Sequence, residues 1–157
     1  MPSDTLREQL LDFHAGYSRC IAADELEAWP EMFTAECHYR VTTAENEREG
    51  HAAGLIYANS RAMLRDRISA LRHANIYERQ RYRHLTGSPY LLGSDAGSAR
   101  CETPFLVLRI VQDDATSLYA SGVYRDEFAR DGERLLLKSR VVVCDSRRVD
   151  TLMAIQL

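Results

Sequence analysis

The chain has 157 residues, close to one ordinary domain, with 45% hydrophobic and 27% charged residues, enough to bury a core without disulfide or metal staples and too apolar for a disordered chain. Its 20 Lys+Arg against 23 Asp+Glu leave a net charge of −3, which excludes the cationic field that drives nonspecific nucleic-acid binding. No apolar run approaches the ~18 residues of a membrane span, and the opening Met1-Pro2-Ser3-Asp4 lacks a signal-peptide layout. The expectation is a soluble, cytoplasmic protein, a single domain over residues 1–157, with neither nucleic acid nor membrane as partner.

In chain order, Leu6, Leu10, Phe13, Tyr17 and Ile21 recur at helical spacing and predict a first amphipathic helix. Ser3 or Asp4 is its candidate cap, and Glu8 suits the N-terminal end of its dipole. Asp24 reads as the cap of a second helix carrying Leu26, Trp29, Met32 and Phe33, short or broken at Pro30. Tyr39 to Thr43 alternates as a strand. Glu45 to Gly50 reads as a loop, and Gly54 to Tyr57 as extended chain. Ser60 to His73 predicts another helix, capped by Asn59, with Met63, Leu64, Ile68 and Leu71 inward and Arg61, Arg65 and Arg72 on polar sides.

Beyond Asn75 the pattern turns to strands. Tyr82 to Thr86 is a short one, closed by Gly87-Ser88-Pro89. Longer strands follow at Ala99 to Val111, Ser117 to Ala129 and Arg134 to Cys144. Gln112 to Thr116 has turn composition, and Asp131-Gly132 is a hairpin signal. The tail Leu152 to Leu157 adds a last extended piece. Helices gathered early and strands late imply an α+β fold, a curved antiparallel sheet wrapped around the first and third helices.

The sequence contains no phosphate-binding loop, nucleophile elbow or H-E-x-x-H pattern. Cys20, Cys37, Cys101 and Cys144 form no C-x-x-C pair, so packed, reduced thiols are expected. His14, His38, His51, His73 and His84 include no pair at helical spacing, so no metal site is expected in this chain. Tyr17, His38, Tyr39 and His84 could line the mouth of a cone and move a proton. Lone histidines need a positioned partner to act, and packing at the core edge or at a subunit contact is the preferred reading. The basic run Glu78 to His84, if extended, puts Arg79, Arg81 and Arg83 on one face and Gln80, Tyr82 and His84 on the other. A protein interface ranks first for it, a solvated face second and nucleic acid third.

The segments Glu27-Ala28-Trp29-Pro30-Glu31-Met32-Phe33, Tyr39-Arg40-Val41-Thr42, Gly54-Leu55-Ile56-Tyr57, Ser60 to Arg67 and Tyr82-Arg83-His84-Leu85, in this order and spacing, resemble the small (β) subunit of the aromatic-ring-hydroxylating (Rieske non-haem iron) dioxygenases. Within that family the chain is most similar to subunits of enzymes acting on aromatic carboxylates such as anthranilate or salicylate. The resemblance implies a cystatin-like fold of the nuclear-transport-factor-2 type, a cone of N-terminal helices on a strongly curved antiparallel sheet. It also implies a large α subunit holding a Rieske [2Fe–2S] cluster and a mononuclear Fe(II), an α3β3 hexamer, and electrons from NADH through a reductase and often a ferredoxin. No catalytic, cofactor-binding or metal residue is then expected in this chain, whose role is structural. The alternatives are a free-standing isomerase or dehydratase of the same fold, using His84 or His38 with Tyr17, and a small-ligand-binding module. A homotrimer is expected within the hexamer, because a closed ring of identical chains covers a sheet face left open. Arg79, Arg81, Tyr82, Arg83 and His84 are its candidate contact surface, with acidic partners on the adjoining chain.

Overall fold

In a computed structural model, residues 2–50, 56–73, 81–110 and 115–146 are described, the side chains of residues 2–4 excepted. The apolar stripe of the N-terminal segment forms helix α1 (Pro2–Ala22), with Leu6, Leu10, Tyr17 and Ile21 buried beneath it. Phe13 is half-buried, its ring edge-on to Phe128 at 4.8 Å. Ser3 and Asp4 lie inside the first turn and not ahead of it. Asp24 ends α1 instead of starting a helix: it sits in the left-handed region at φ 58°. Its N–H donates to Ile21 O, and Glu25 N–H donates to Cys20 O, the paired bonds of a Schellman ending. Two single-turn 3-10 helices follow, Leu26–Ala28 and Pro30–Met32, the second opened by the proline whose fixed φ suits a first turn.

Strand β1 (Phe33–Thr43) starts six residues earlier than the alternation from Tyr39 suggests. The expected loop after it is a short helix, α2 (Ala44–Arg48), nucleated by Thr43, whose Oγ1 accepts from Asn46 N–H. β2 (Ile56–Ala58) carries the predicted extended piece, while Gly54 and Leu55 lie outside the described residues. In α3 (Arg61–His73), Ser60 Oγ accepts from Met63 N–H at 3.2 Å, so Ser60 and not Asn59 caps the helix. Leu64 and Ile68 are buried, whereas Met63, expected inward, is 40% exposed. Three arginines lash α3 to the 3-10 turns: Arg61 donates to Phe33 O, Arg65 to Glu31, and Arg72 to Asp24 and Glu27.

The remaining strands are β3 (Arg81–Thr86), β4 (Tyr90–Ser94), β5 (Ser98–Ile110), β6 (Thr116–Asp131) and β7 (Arg134–Cys144). β4 is an addition to the sequence reading, a short segment between Pro89 and the glycines at 93 and 97 that shows no clean alternation. The residues Gln112–Asp114 and the tail from Leu152 lie outside the described residues. Asp131 pairs with Arg134, so the β6–β7 loop is Gly132-Glu133. Its positive φ falls on Gly132 alone, the pattern of a type II′ hairpin with glycine first.

The sheet runs β2-β1-β7-β6-β5-β3, with β4 also on β5. β1 and β7 are parallel, a departure from the all-antiparallel expectation that brings the first long strand beside the last. Bulges on β5–β6 and β6–β7 add twist and help the sheet to curl. At Gly122 an added Cβ would meet Val143 O at 1.9 Å, so only glycine admits this close backbone approach. One face of the sheet packs on α1 and α3 and is the inner face. Among the described residues, α2 covers the other face near β1 and β7.

Candidate functional site

Strand alternation that buries Tyr124 and Phe128 on the inner face of β6 also carries Asp126 inward, and Arg140 on β7 stands opposite it in register. Arg140 Nε and Nη2 donate to Asp126 Oδ1 and Oδ2 at 2.7 and 2.8 Å. The guanidinium lies over the rings of Tyr124 at 3.8 Å and Tyr17 at 4.2 Å. His14 on α1 completes the group, its Nδ1 3.4 Å from Arg140 Nη2 and its Nε2 3.2 Å from Thr103 Oγ1. Arg140 can only donate, so Nδ1 accepts and Nε2 carries the proton toward Thr103.

This charge pair is 0% exposed at both side chains. Two buried ions cost several kcal/mol to desolvate, which bidentate geometry offsets. Burial, and then the nearby Arg140 charge, lowers the His14 pKa to about 3, so the imidazole is neutral at physiological pH. Burial raises the Tyr17 and Tyr124 phenols. It also pushes the Asp126 carboxyl up against the pull of Arg140. The His14 imidazole and the two phenols are thereby moved away from proton exchange near neutrality.

His14, Cys101 and Asp126 bring one nitrogen, one sulfur and one oxygen within 4.8 Å of one another, a convergence from three distant positions that local spacing does not reveal. The trio does not fit a divalent cation. Both Asp126 oxygens are taken by Arg140, whose charge would repel the metal, and burial pushes the Cys101 thiol up to about 12. All four cysteines are free and buried.

The four residues proposed for the cone mouth do not come together. Tyr17 lies inside the cone against Arg140. Tyr39 is buried with Trp29 and Phe33. His38, its strand neighbour, points to the opposite face and packs edge-on to Tyr57 at 5.3 Å. His84 is buried where β3 meets α1. The alternation expected for the basic run holds over its described part: Arg81 and Arg83 are exposed, Tyr82 is half-buried and His84 is buried. Tyr82 and His84 therefore face α1, leaving Arg81 and Arg83 for an outer contact, and Arg79 lies outside the described residues.

Among the described residues, Tyr17, Phe128, Tyr124, Thr103, Asp126 and Arg140 are all buried in the interior of the cone. Two depressions on the described surface, of about 360 and 480 Å³, open to solvent and are lined by no member of this group. The first lies between the end of α1 and β3, at Arg19, Arg83 and His84; the second lies between β2 and α3.

The family model for the ring hydroxylating beta subunit matches residues 18–151. The terminal oxygenase component subunit beta 1 of terephthalate 1,2-dioxygenase from Comamonas sp. is 50% identical over 149 residues, covering 95% of this chain and 97% of the relative. The anthranilate 1,2-dioxygenase small subunit of Burkholderia cepacia is 37% identical over 131 residues, covering 83% and 81%. A crystal structure from Novosphingobium aromaticivorans, described as an aromatic-ring-hydroxylating dioxygenase beta subunit, superposes with a TM-score of 0.93 at 34% identity over the whole of both chains.

Proposed function

This chain belongs to the family of ring-hydroxylating dioxygenase beta subunits, and from that premise we propose that it is a non-catalytic small subunit supporting assembly of a cytoplasmic α3β3 terminal oxygenase. Its fold is the nuclear-transport-factor-2-like cone of that family, and membership implies a large α subunit as partner. The proposal assigns the Rieske [2Fe–2S] cluster and mononuclear Fe(II) to that subunit and NADH oxidation to a reductase. The named relatives act with terephthalate and anthranilate, and an aromatic carboxylate is the proposed substrate class. The higher identity to the terephthalate subunits moves the weight from anthranilate or salicylate toward a dicarboxylate.

The observation that carries the non-catalytic role is the occupied cone. A free-standing isomerase or dehydratase needs a concave pocket with a base poised near neutral pH. Here the volume holds a guanidinium clamped between two tyrosines and a carboxylate. The test is to purify the chain with and without its large subunit and measure iron, acid-labile sulfide and turnover of an aromatic carboxylate. The expected result is cluster and iron in the large subunit, and turnover only with both. Turnover of a small ketone or enol by the isolated, iron-free chain would overturn the reading.

A further inference from the structure

The Arg140 guanidinium is received by elements other than its own strand. Asp126, on the neighbouring strand β6, accepts from Nε and Nη2 at 2.7 and 2.8 Å, one bond to each carboxylate oxygen. Tyr124, also on β6, sets its ring 3.8 Å from the guanidinium carbon, and Tyr17 on α1 sets another at 4.2 Å. His14 on α1 brings Nδ1 to 3.4 Å from Nη2. An anionic fork, an imidazole acceptor and two aromatic faces are the groups that recognise a planar, delocalised cation. The receptor stands on α1 and β6, and the cation reaches it from β7 on an unbranched stem.

Core packing and ligand recognition make different demands on such a place. Packing asks that the volume be filled by groups of suitable shape. Recognition asks for a defined charge, plane and set of donors, and the groups around Arg140 meet each of these. Tyr17, Tyr124, Asp126 and Arg140 are all buried, so water does not compete for the carboxylate, and each electrostatic contact is stronger than it would be at the surface. His14 is held as well: its Nε2 lies 3.2 Å from Thr103 Oγ1, which keeps the accepting nitrogen turned to the cation. Without a cation Asp126 would be a buried carboxylate lacking its counter-ion.

We infer that the cone contains a guanidinium-binding site which the chain occupies with its own Arg140. The ligand class that this site takes once the side chain is shortened is a small planar cation, an alkylguanidinium or an amidinium. The atoms that Arg140→Ala removes are those of ethylguanidinium, so that ion is the matched probe. The inference goes beyond the small-subunit reading and does not rest on it, because every group it uses belongs to this chain.

The test records melting curves of the full-length Arg140→Ala chain with millimolar ethylguanidinium, N-ethylurea or ethylammonium. Ethylguanidinium should raise the melting temperature of the variant saturably and leave the unaltered chain, whose site is filled, where it was. N-ethylurea has the plane without the charge, and ethylammonium the charge without the plane. Each should bind at least about tenfold more weakly. Adding Asp126→Asn, which keeps the shape and removes the charge, should abolish the shift, and equilibrium dialysis should find one ethylguanidinium per Arg140→Ala chain. Should Arg140→Ala fail to fold alone, ethylguanidinium present during refolding should restore a folded chain. Equal rescue by either analogue would show a cavity filled by volume or by charge alone and would overturn the inference. So would a shift that survives Asp126→Asn, the absence of any shift, or a variant that stays unfolded with ethylguanidinium present. Capture of the large subunit by the unaltered chain tests the small-subunit reading separately.

Discussion

Each face of this sheet breaks the usual distribution of polarity at one place. The inner face seals an arginine, an aspartate and a histidine among aromatic rings, while the outer face leaves Leu85 and Leu118 in water. Inside, Arg140 and Asp126 are each other's counter-ion within the same chain. Outside, the leucines have no cover from the described residues of their own chain. The contrast separates what stabilises the subunit from what it offers to others.

The largest expected effect breaks the inner side. Asp126→Ala strands the Arg140 charge in the core and should cost roughly 3–5 kcal/mol in denaturant unfolding. Replacing both partners, with Asp126→Leu and Arg140→Met, removes the stranded charge and should land within about 2 kcal/mol of the original or gain stability. A double variant as damaged as the single one would mean that the pair supports more than its own burial. Next comes Phe13→Ala. Full burial of the ring would predict a loss of about 3–5 kcal/mol; its half-burial lowers the expectation to roughly 2–3, measurable in the same assay.

A smaller effect reads the inner face through pH. His14 has an ordinary value of 6.5 and a folded value of about 3. Between these the unfolded chain binds a proton that the folded chain does not, so stability falls as pH falls through the window, by at most about 1.4 kcal/mol per unit. Burial also lowers His38, which adds a slope of the same sign, so the informative quantity is the difference between the unaltered chain and His14→Asn. From pH 6.5 to 5 the variant should show the shallower slope. Equal slopes would place His14 outside the sealed network. The smallest stability effect should come from Leu85→Asp on the outer face, within about 0.5 kcal/mol for the isolated chain.

Much of this architecture was legible in the sequence because the periodicity was strong. Leu6, Leu10, Tyr17 and Ile21 announce α1, and the three long strands appear within a few residues of their observed limits. The misreadings lie where a single side chain decides: Thr43 nucleating α2, Asp24 accepting a left-handed backbone, Ser60 capping in place of Asn59. The inner network was missed for another reason. His14 sits on the apolar stripe and Asp126 on the buried parity of β6, so each reads as a lone interruption of a hydrophobic pattern. What makes them a unit is cross-strand register, which brings Asp126 to Arg140, and helix packing, which brings His14 to both. A charged residue at an inward position in two neighbouring strands, of opposite sign, was the signal available. The family resemblance, by contrast, rests on segments spread along the chain and needed no register.

The central claim is that the buried network occupies the cone and does no chemistry. Turnover of the reconstituted oxygenase per large-subunit iron, with this chain carrying His14→Asn and Tyr17→Phe, tests it most directly. A second preparation with Asp126→Leu and Arg140→Met guards against a local folding defect. At matched assembly, read by mass, turnover should equal that of the unaltered complex in both preparations. A fall of tenfold or more in a fully assembled complex would contradict the account and place the network in the reaction.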